Sequence, residues 1–528
     1  DVKKFRKIIG KNSFLISKIE SSQGLINSER IIKSSDAILI DRGDLSREVS
    51  IHKIPKAQRE IVKIANKNKT EIYVATNLLE SMINNSSPTR AEVNDVYNLL
   101  ESGVNGLVLA AETAIGNHPV ASASMIKKLI GEFYAGPLSS DFLLDDSSLI
   151  SPHGKSLVRN VATDEEIKKG MKCRRFIVEE SDLIDAEQIS LGTFSPIDSF
   201  MSSKELTSVL NLNKLLNGCI WTMPIILQAG FVNKYIPEKG ERIILGSKKS
   251  ESIAFLDVDD IYEIDIEKVA KQWFGTNSKK HPGVSRFFSK GNLLIGGKVT
   301  LIERRKSTNR TFELFPHETR YIFNQKNWSR VIGFHTRNPP HRAHEYIQLK
   351  ALKDFEADGL FISPVIGQKK QGDFLTSIIL DSYQVLIEKG IYPKGSVFLN
   401  GFNTFSRYSG PREAVFTAIC RKNFGCSHFI IGRDHTGIKD FYGPQENRSL
   451  FNQLGDIEIE PIFFDNVRYN RDKKKFTVGK NLVNTEELSG SKIRNSLKGK
   501  KKLPDWHMRN EIQNLILSNI KRKKKVFN

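Results

Sequence analysis

The stretch that decides the fold of the C-terminal part is VIGFHTRNPPHRAHEYIQLKAL, from Val331 to Leu352. Its first six residues form an apolar, β-rich run, and such a run predicts a buried strand. The run HRAHEYIQLKAL predicts a helix, because two prolines stand just before it, where proline favours a helix start. A strand that passes into a helix through polar residues is typical of α/β domains that bind ligands at the carboxyl ends of their strands.

Cationic and polar side chains crowd the corner between this strand and this helix. Arg337 offers a planar guanidinium that suits phosphate or sulfate, and Asn338 adds an amide. His341 and His344 are three residues apart, so they share a face of the first helical turn, whose free N–H groups attract anions. A metal site is the alternative for such a pair, but neither HExxH nor a third ligand follows nearby. The corner therefore predicts a site for a polyanion.

Three further stretches repeat this pattern. HFIIGRDHTG, from His428, predicts a strand with polar residues at its carboxyl end. SRYSGPREAVFTAI, from Ser406, predicts a helix whose Gly-Pro-Arg start can bind an anion. LSGSKIRNSL, from Leu488, predicts a turn into a helix that carries Arg494. We expect the four stretches to form one polyphosphate cradle.

The composition is that of a globular chain with several domains. The 528 residues are too many for one domain, and no run approaches the roughly 20 apolar residues of a membrane span, so we expect a soluble cytoplasmic protein. The four cysteines form no CxxC pair, which fits a reducing compartment.

The net charge of +20 fits either nucleic-acid binding or a lysine-rich surface. The lysine runs lack interleaved aromatics, which favours the surface, and no specific nucleic-acid partner is expected.

The fold class predicted from the whole chain is α/β multidomain. Residues 1–133 alternate strand and helix patterns, which predicts parallel βα units and half of an eight-fold barrel. Residues 134–148 are Ser/Asp-rich and predict a linker, and residues 149–315 predict a β-rich domain. Residues 316–528 return to strand–helix alternation and predict an α/β nucleotide-binding domain. Because the opening resembles the middle of a domain, we expect the chain to be part of a longer protein or a processed one.

Several motifs resemble those of the ATP sulfurylase (sulfate adenylyltransferase) family over about residues 149–525. They are PHG, GTFSPIDSFM, GCIWTMPIIL, HTRNPPHRAH, SGPREA, GRDHTG, FYGP and SGSKIR, in family order. The resemblance implies a PUA-like domain followed by a Rossmann-like nucleotidyltransferase domain. It implies that ATP and sulfate give adenylylsulfate and pyrophosphate, with sulfate attacking the α-phosphorus in line, in sulfate assimilation or other sulfur metabolism. It also implies Mg²⁺ carried by ATP and assembly as a homo-oligomer.

The same resemblance implies roles for individual residues. The implied catalytic residues are Thr336, Arg337, Asn338, His341, His344 and Arg433. The implied sulfate-binding residues are His335, Arg337 and Thr436. The implied ATP-binding residues are Asn338, His341, His344, Gly432, Asp434 and His435.

Two positions of this site depart from the family pattern. His335 stands where the family usually has Gln, and Thr436 stands where it has Ala, so the oxyanion preference is the least fixed property. The segment YNRDKKKF has no cysteine where some relatives bind zinc, and we expect no structural zinc. The chain has no GxxxxGK[ST] motif, so it carries no adenylylsulfate kinase of the kind that some relatives have.

The N-terminal motifs SKIESSQG, DAILIDRGDL, VATNLLESM, PTRAE and ETAIGNHP resemble the second half of the pyruvate kinase barrel. The resemblance implies that Lys18 stabilises an enolate, that Glu20 and Asp44 bind a divalent metal, and that Thr76 lies near the proton-transfer site. Ser46 replaces a glycine of the family pattern, and two alanines replace Ser-Gly before ETA. We therefore expect a barrel without pyruvate kinase activity unless a preceding segment completes it.

Three alternatives to a plain ATP sulfurylase stay open at this point. The first is another adenylyltransferase with a different acceptor, which His335 and Thr436 motivate. The second is a bifunctional protein that also has pyruvate kinase activity. The third is a non-catalytic assembly or RNA-binding protein, which the charge and the PUA-like resemblance motivate.

Overall fold

A computed structural model describes every residue except 1, 11, 86, 135–148, 249–252, 433–440, 444, 465–466, 480–483 and 489, and it leaves out the side chain of Ser491. The chain forms two compact units, residues 1–148 and residues 149–528. Nearly all of the predicted linker falls outside the described residues. No helix within the described ranges is long and apolar enough to cross a membrane.

The first unit is built on a parallel sheet of four strands in the order β1-β2-β3-β4. Its strands are β1 (Ile16–Ile19), β2 (Ala37–Asp41), β3 (Glu71–Ala75) and β4 (Gly106–Val108). Its helices are α1 (Val2–Ile9), α2 (Ser22–Ile26), α3 (Ser28–Ile32), α4 (Arg42–Glu48), α5 (Ile54–Asn68), α6 (Arg90–Glu101), α7 (Ala111–Ala114) and α8 (Pro119–Tyr134). Sequential parallel neighbours joined by helices are the arrangement of consecutive βα units, as the sequence predicted.

Apolar spacing explains why these helices pack on the sheet. On α5, Ile54, Ile61, Val62 and Ala65 are buried, and they recur at the spacing that places residues on one helix face. Helix α6 begins at a capping box, in which Thr89 and the third helical residue satisfy each other's free groups. The buried side chains of helices and strands form one apolar core for this unit.

The β-rich part of the second unit is a mixed sheet in the order β5-β8-β9-β10-β6, and β7 also pairs with β10. Its strands are β5 (Arg175–Ile177), β6 (Ser199–Phe200), β7 (Leu227–Gln228), β8 (Arg242–Gly246), β9 (Ala254–Glu263) and β10 (Leu293–Leu301). Its helices are α9 (Asp164–Gly170), α10 (Glu180–Ser190), α11 (Ser203–Leu212), α12 (Ile266–Phe274) and α13 (Pro282–Phe288). This sheet shares one apolar core with part of the following α/β sheet.

The α/β part is a five-stranded parallel sheet in the order β13-β12-β11-β14-β15. Its strands are β11 (Val331–Thr336), β12 (Gly359–Pro364), β13 (Val397–Leu399), β14 (His428–Ile431) and β15 (Glu460–Phe463). Its helices are α14 (Pro316–Gln325), α15 (Arg342–Asp354), α16 (Thr376–Glu388), α17 (Pro411–Phe424) and α18 (Glu446–Leu454). This confirms the predicted Rossmann-like fold class.

The strand order fixes where a ligand can enter the α/β sheet. From β11 the chain moves outward through β12 to β13, and it then returns to place β14 on the other side of β11. The crevice of such a sheet opens at the carboxyl ends of the two strands where the order reverses. The two strands here are β11 and β14. The motif HTRNPPHRAH begins with the last two residues of β11, and the motif GRDHTG begins directly after β14.

The C-terminal residues add a small antiparallel sheet and two helices. The strands, in the order β17-β16-β18, are β16 (Val467–Asn470), β17 (Lys475–Val478) and β18 (Thr485–Glu487). The helices are α19 (Gly490–Lys498) and α20 (Asn510–Lys521). Side chains of α19 and α20 belong to the core on one face of the α/β sheet.

Candidate active site

The corner between β11 and α15 has the local structure that the sequence predicted. Strand β11 ends at Thr336, whose hydroxyl accepts a hydrogen bond from the Asn338 N–H at 3.2 Å and so turns the chain. His341 is the N-cap of α15, and its Nδ1 accepts from the His344 N–H at 3.3 Å. The two histidines therefore stand at the free end of a helix at the sheet's crevice.

The two histidine rings stack on each other at the start of α15. The centroids of His341 and His344 are 3.6 Å apart at an interplanar angle of 22°. Burial, together with the neighbouring His507, lowers the pKa of His341 to about 4. Burial and the nearby His341 ring lower the pKa of His344 well below its usual range. Both rings are consequently neutral at neutral pH, and the buried His344 Nδ1 has no hydrogen-bond partner in the described part of the chain.

Arg337 is a half-buried cation with no hydrogen bond or ion pair to any residue that the structure describes. Its positive charge reaches Lys369, which follows β12. Burial lowers the pKa of Lys369 to about 8; the nearby Asp373 carboxylate opposes this shift, and the Arg337 charge adds to it. The Lys369 ammonium donates to the Val365 carbonyl oxygen at 2.7 Å and is not paired with a carboxylate in the described ranges. This edge of the sheet thus has an excess of positive charge.

Arg494 of α19 orients the Asn338 side chain. One Arg494 nitrogen forms an ion pair with Asp373 at 2.9 Å, and the other donates to the Asn338 Oδ1 at 3.0 Å. Since a guanidinium has only donors, the amide oxygen of Asn338 must face it. The Asn338 amide nitrogen is left to donate elsewhere, which suits a phosphate oxygen. The stretch LSGSKIRNSL therefore does join the corner at β11.

The start of α17 carries a carboxylate of its own, and its binding of an anion stays a prediction. The carboxylate of Glu413 folds back on its own helix terminus and accepts from the N–H groups of Arg407 at 2.9 Å and Ser409 at 3.0 Å. Both N–H groups belong to the segment before the helix, whose first residue is Pro411. Arg412 points elsewhere as well, since its guanidinium donates to Asn213 Oδ1 at 2.7 Å and links α17 to the β-rich part.

The predicted residues after β14 fall largely outside the described chain. Gly432 follows the strand and is exposed. The other four lie outside the described residues, and their assigned roles stay predictions: Arg433, Asp434, His435 and Thr436.

Three residues beside the site were not among the predicted ones. Lys369 and Asp373 come after β12, so the rule that polar residues after a strand mark the crevice would have found them. Arg421, in the last turn of α17, donates to His335 Nδ1 at 2.6 Å. No sequence signal points to Arg421, because a basic residue inside a helix usually faces solvent.

The residues of the predicted pyruvate kinase-like site also come together in the first unit. The Lys18 ammonium lies 2.6 Å from Glu20, 2.8 Å from Asp41 and 3.1 Å from Asp44. The hydrogen bond to Asp41 and those to the other two carboxylates raise the Lys18 pKa, and burial opposes the shift. Oxygens of these three acids lie within 4.8 Å of one another, as divalent metal ligands do, but the Lys18 ammonium already pairs with all three and offsets one of their negative charges.

Thr76, which directly follows β3, contacts the same site. Its φ of 67° is rare for a β-branched residue. The Thr76 hydroxyl accepts from the Gly43 N–H at 2.7 Å and lies 3.0 Å from an Asp41 oxygen. Asp41, which the sequence did not single out, is thus fixed by Lys18, Thr76 and the Asp44 N–H.

The fold and the site define an α/β protein with a nucleotide-type crevice that carries excess positive charge. The sequence profile of the ATP-sulfurylase family matches residues 310–519, that of the PUA-like domain matches residues 150–304, and that of the pyruvate kinase barrel domain matches residues 1–123. The sulfate adenylyltransferase of Pyrococcus abyssi (strain GE5 / Orsay) is 38% identical over 70% of this chain and 97% of its own length. That of Halothermothrix orenii (strain H 168 / OCM 544 / DSM 9562) is 34% identical over 70% of this chain and 99% of its own length. The chain belongs to the sulfate adenylyltransferase family.

A solved structure agrees at the level of the fold. The hexameric APS kinase from Thiobacillus denitrificans is 20% identical and superposes with a TM-score of 0.56 over 71% of this chain and 68% of its own.

Proposed function

We propose that the chain is a sulfate adenylyltransferase, which converts MgATP and sulfate into adenylylsulfate and pyrophosphate. The observation that carries this is Arg337, a cation without a carboxylate partner in the described chain, beside two neutral histidines at the switch point of the sheet. A site with excess positive charge and neutral N–H donors favours a polyanion. The relatives that cover the same residues carry this activity in their names.

The proposed reaction needs no covalent intermediate on the protein. A sulfate oxygen forms a bond to the α-phosphorus while the bond to the bridging oxygen of pyrophosphate breaks on the opposite side. Mg²⁺ enters with ATP as part of the substrate and neutralises phosphate charge. The protein positions the two anions and stabilises the charge that develops as pyrophosphate leaves.

Each residue at the corner has a role that fits its contacts. Arg337 pairs with sulfate through its guanidinium. Asn338, oriented by Arg494, donates its amide N–H groups to the ATP phosphates. His341 and His344 are neutral and donate to the α-phosphoryl group and to the leaving pyrophosphate, and a bound polyanion favours their protonation.

The remaining proposals concern residues and properties for which the described contacts give no direct support. Arg433 and the backbone near Thr436 would complete the sulfate side, and Gly432, Asp434 and His435 the nucleotide side. Residues 149–315 would form the PUA-like domain and residues 316–528 the catalytic domain. The Mg²⁺ requirement and assembly into a homo-oligomer also remain proposals.

The test is pyrophosphate release from MgATP by the purified chain, with and without sulfate. Release that depends on sulfate, together with adenylylsulfate as the second product, is the expected result. Release without dependence on sulfate would point to a different acceptor. A folded chain that binds ATP but releases no pyrophosphate under either condition would refute the proposal.

A further inference from the structure

Arg421 is a fully buried arginine on α17. Its Nη2 donates to His335 Nδ1 at 2.6 Å and to the Ser363 carbonyl oxygen at 3.4 Å. Its guanidinium lies over the Phe402 ring, 4.5 Å from the centroid. Burial lowers the Arg421 pKa to about 10, so the side chain stays charged at neutral pH. In the part of the chain that the structure describes, no carboxylate pairs with it.

Strand β11 is shaped to let this side chain pass. Gly333 and His335 are two residues apart on the strand, so they face the same side of the sheet. A Cβ placed on Gly333 would lie 3.0 Å from Arg421 Cγ and 3.2 Å from the Phe429 ring, which is closer than ordinary contact. The missing side chain at Gly333 therefore leaves room for Arg421 to extend along β11 to His335.

The hydrogen bond from Arg421 determines where the His335 ring carries its proton. A guanidinium can only donate, so His335 Nδ1 accepts with its lone pair. A neutral imidazole then has its proton on Nε2. Adding a second proton at Nδ1 would break this hydrogen bond and place two cations in contact. His335 is thus held as a neutral ring with one N–H donor, the kind of donor that a glutamine amide also offers.

We propose that Arg421 is the positioning residue of the sulfate subsite, which holds His335 in the Nε2–H form so that this residue donates to the oxyanion. This rests on the proposed function, because sulfate is taken as the acceptor. Arg421 itself touches no substrate; it acts through His335, and its buried charge adds to the attraction for an anion.

The energetics of Arg421 separate this role from a structural one. Its Nε and Nη1 atoms are buried and have no hydrogen-bond partner among the described residues. Among the described residues Arg421 has no carboxylate partner and leaves two donors unsatisfied, and a buried cation in such surroundings destabilises the protein without ligand. Replacing it with an apolar side chain of similar length should therefore leave the stability equal or higher while it weakens sulfate binding. A purely structural arginine would give the opposite result.

The experiment compares Arg421→Met with the wild type by sulfate-dependent pyrophosphate release and by thermal unfolding without ligand. We expect the sulfate KM to rise about tenfold or more and the MgATP KM to stay within about twofold. The unfolding midpoint should be equal or higher. Lys422→Met is the matched control, since Lys422 is the next residue, is equally buried and pairs with Glu458 rather than with His335.

A double-mutant cycle tests whether Arg421 acts through His335. A glutamine has no tautomers, so Arg421→Met should cost little in the His335→Gln background, whatever the activity of His335→Gln alone. Equal costs in both backgrounds would overturn the proposal. If Arg421→Met does not fold, Arg421→Lys keeps the charge but is too short to maintain the same hydrogen bond, and it should also raise the sulfate KM.

The outcomes distinguish this inference from the proposed function. A sulfate KM of Arg421→Met within about twofold of the wild type would overturn the positioning role alone. A wild type without sulfate-dependent release would overturn both. Equilibrium binding of adenylylsulfate and of AMP gives a second measure without turnover: the wild type should prefer adenylylsulfate, and Arg421→Met should lose most of that preference.

Discussion

Two cations of this chain, Lys18 and Arg337, occupy similar positions at the carboxyl ends of parallel strands, yet their surroundings differ. Lys18 lies within 3.1 Å of carboxylates from Glu20, Asp41 and Asp44. Arg337 has no hydrogen bond or ion pair with any described residue, and its positive charge helps to lower the pKa of a second cation, Lys369. The sequence patterns around both cations resemble catalytic motifs.

The difference shows that a cation within a catalytic type of motif indicates an anion-binding site only when its partners in the structure are known. A cation that acidic side chains already neutralise attracts a further anion weakly, whereas an unpaired cation in a partly buried crevice attracts one strongly. The adenylyltransferase site is therefore poised for anions. The pyruvate kinase-like site would first have to release Lys18 from its carboxylates before a metal ion or an enolate could bind.

The largest expected effect comes from removing the unpaired cation. We expect Arg337→Met to lower kcat/KM for sulfate by about 10³-fold, because no other partner replaces the guanidinium, and to leave the unfolding midpoint unchanged or raised. Pyrophosphate release at varied sulfate and thermal unfolding measure both. Arg174→Met, at a side chain that is 70% exposed, is the control. A fully active Arg337→Met would show that the unpaired cation is not the sulfate ligand.

The stacked histidine pair should come next. His344→Asn should lower kcat by about 10²-fold or more with little effect on folding, because the ring faces the polyanion site at the helix start. Steady-state pyrophosphate release and circular dichroism measure the two effects, with the exposed His52→Asn as the control. Unfolding of His344→Asn, or full activity, would contradict the assigned role.

The acid stability of the second unit should depend on the same pair. Because burial lowers the His341 pKa to about 4, the unfolded chain binds more protons than the folded one below the usual pKa of about 6.5. The contribution of this pKa difference to the free energy of unfolding is fully present above that pH and is lost as the pH falls towards 4. The His341 contribution to this loss is about 2 kcal/mol between pH 7 and pH 5.

Urea unfolding at these two pH values checks this prediction. His341→Asn keeps an acceptor at the N-cap, so it should fold, and it should lose about 2 kcal/mol less on acidification than the wild type does. The exposed His52→Asn serves as the control here too. An equal pH dependence in His341→Asn and in the wild type would show that the ring is not held neutral by burial.

The smallest effect concerns the paired cation. Lys18→Met should leave sulfate-dependent pyrophosphate release unchanged and should raise the affinity for Mn²⁺ about tenfold or more, because three carboxylates lose their counter-ion. Calorimetric titration with Mn²⁺ measures this, and Lys33→Met, which removes an exposed pair with Glu29, is the control. Equal Mn²⁺ affinity in Lys18→Met and the wild type would mean that Lys18 does not neutralise the site.

We expect no ADP-dependent formation of pyruvate from phosphoenolpyruvate by the wild type.

Local patterns were enough to predict the elements that carry the site. The strand VIGFHT is β11 residue for residue, and the helix HRAHEYIQLKAL corresponds to α15, which has His341 as its cap and continues to Asp354. Apolar runs and proline positions depend on neighbours in the chain, so they are visible in the sequence. A glycine and a proline likewise predicted the start of α17, but they could not show that Glu413 accepts from the N–H groups of Arg407 and Ser409 before the helix.

By itself, the sequence determined the family, the fold class, and the presence of cations, an amide and two histidines at one strand-to-helix corner. Only the tertiary structure decided which of those charges are paired. The partners come from distant parts of the chain: Arg421 reaches His335 across 86 residues, and Arg494 reaches Asn338 across 156. Such pairs depend on strand order and on the packing of helices against the sheet, which no local pattern encodes.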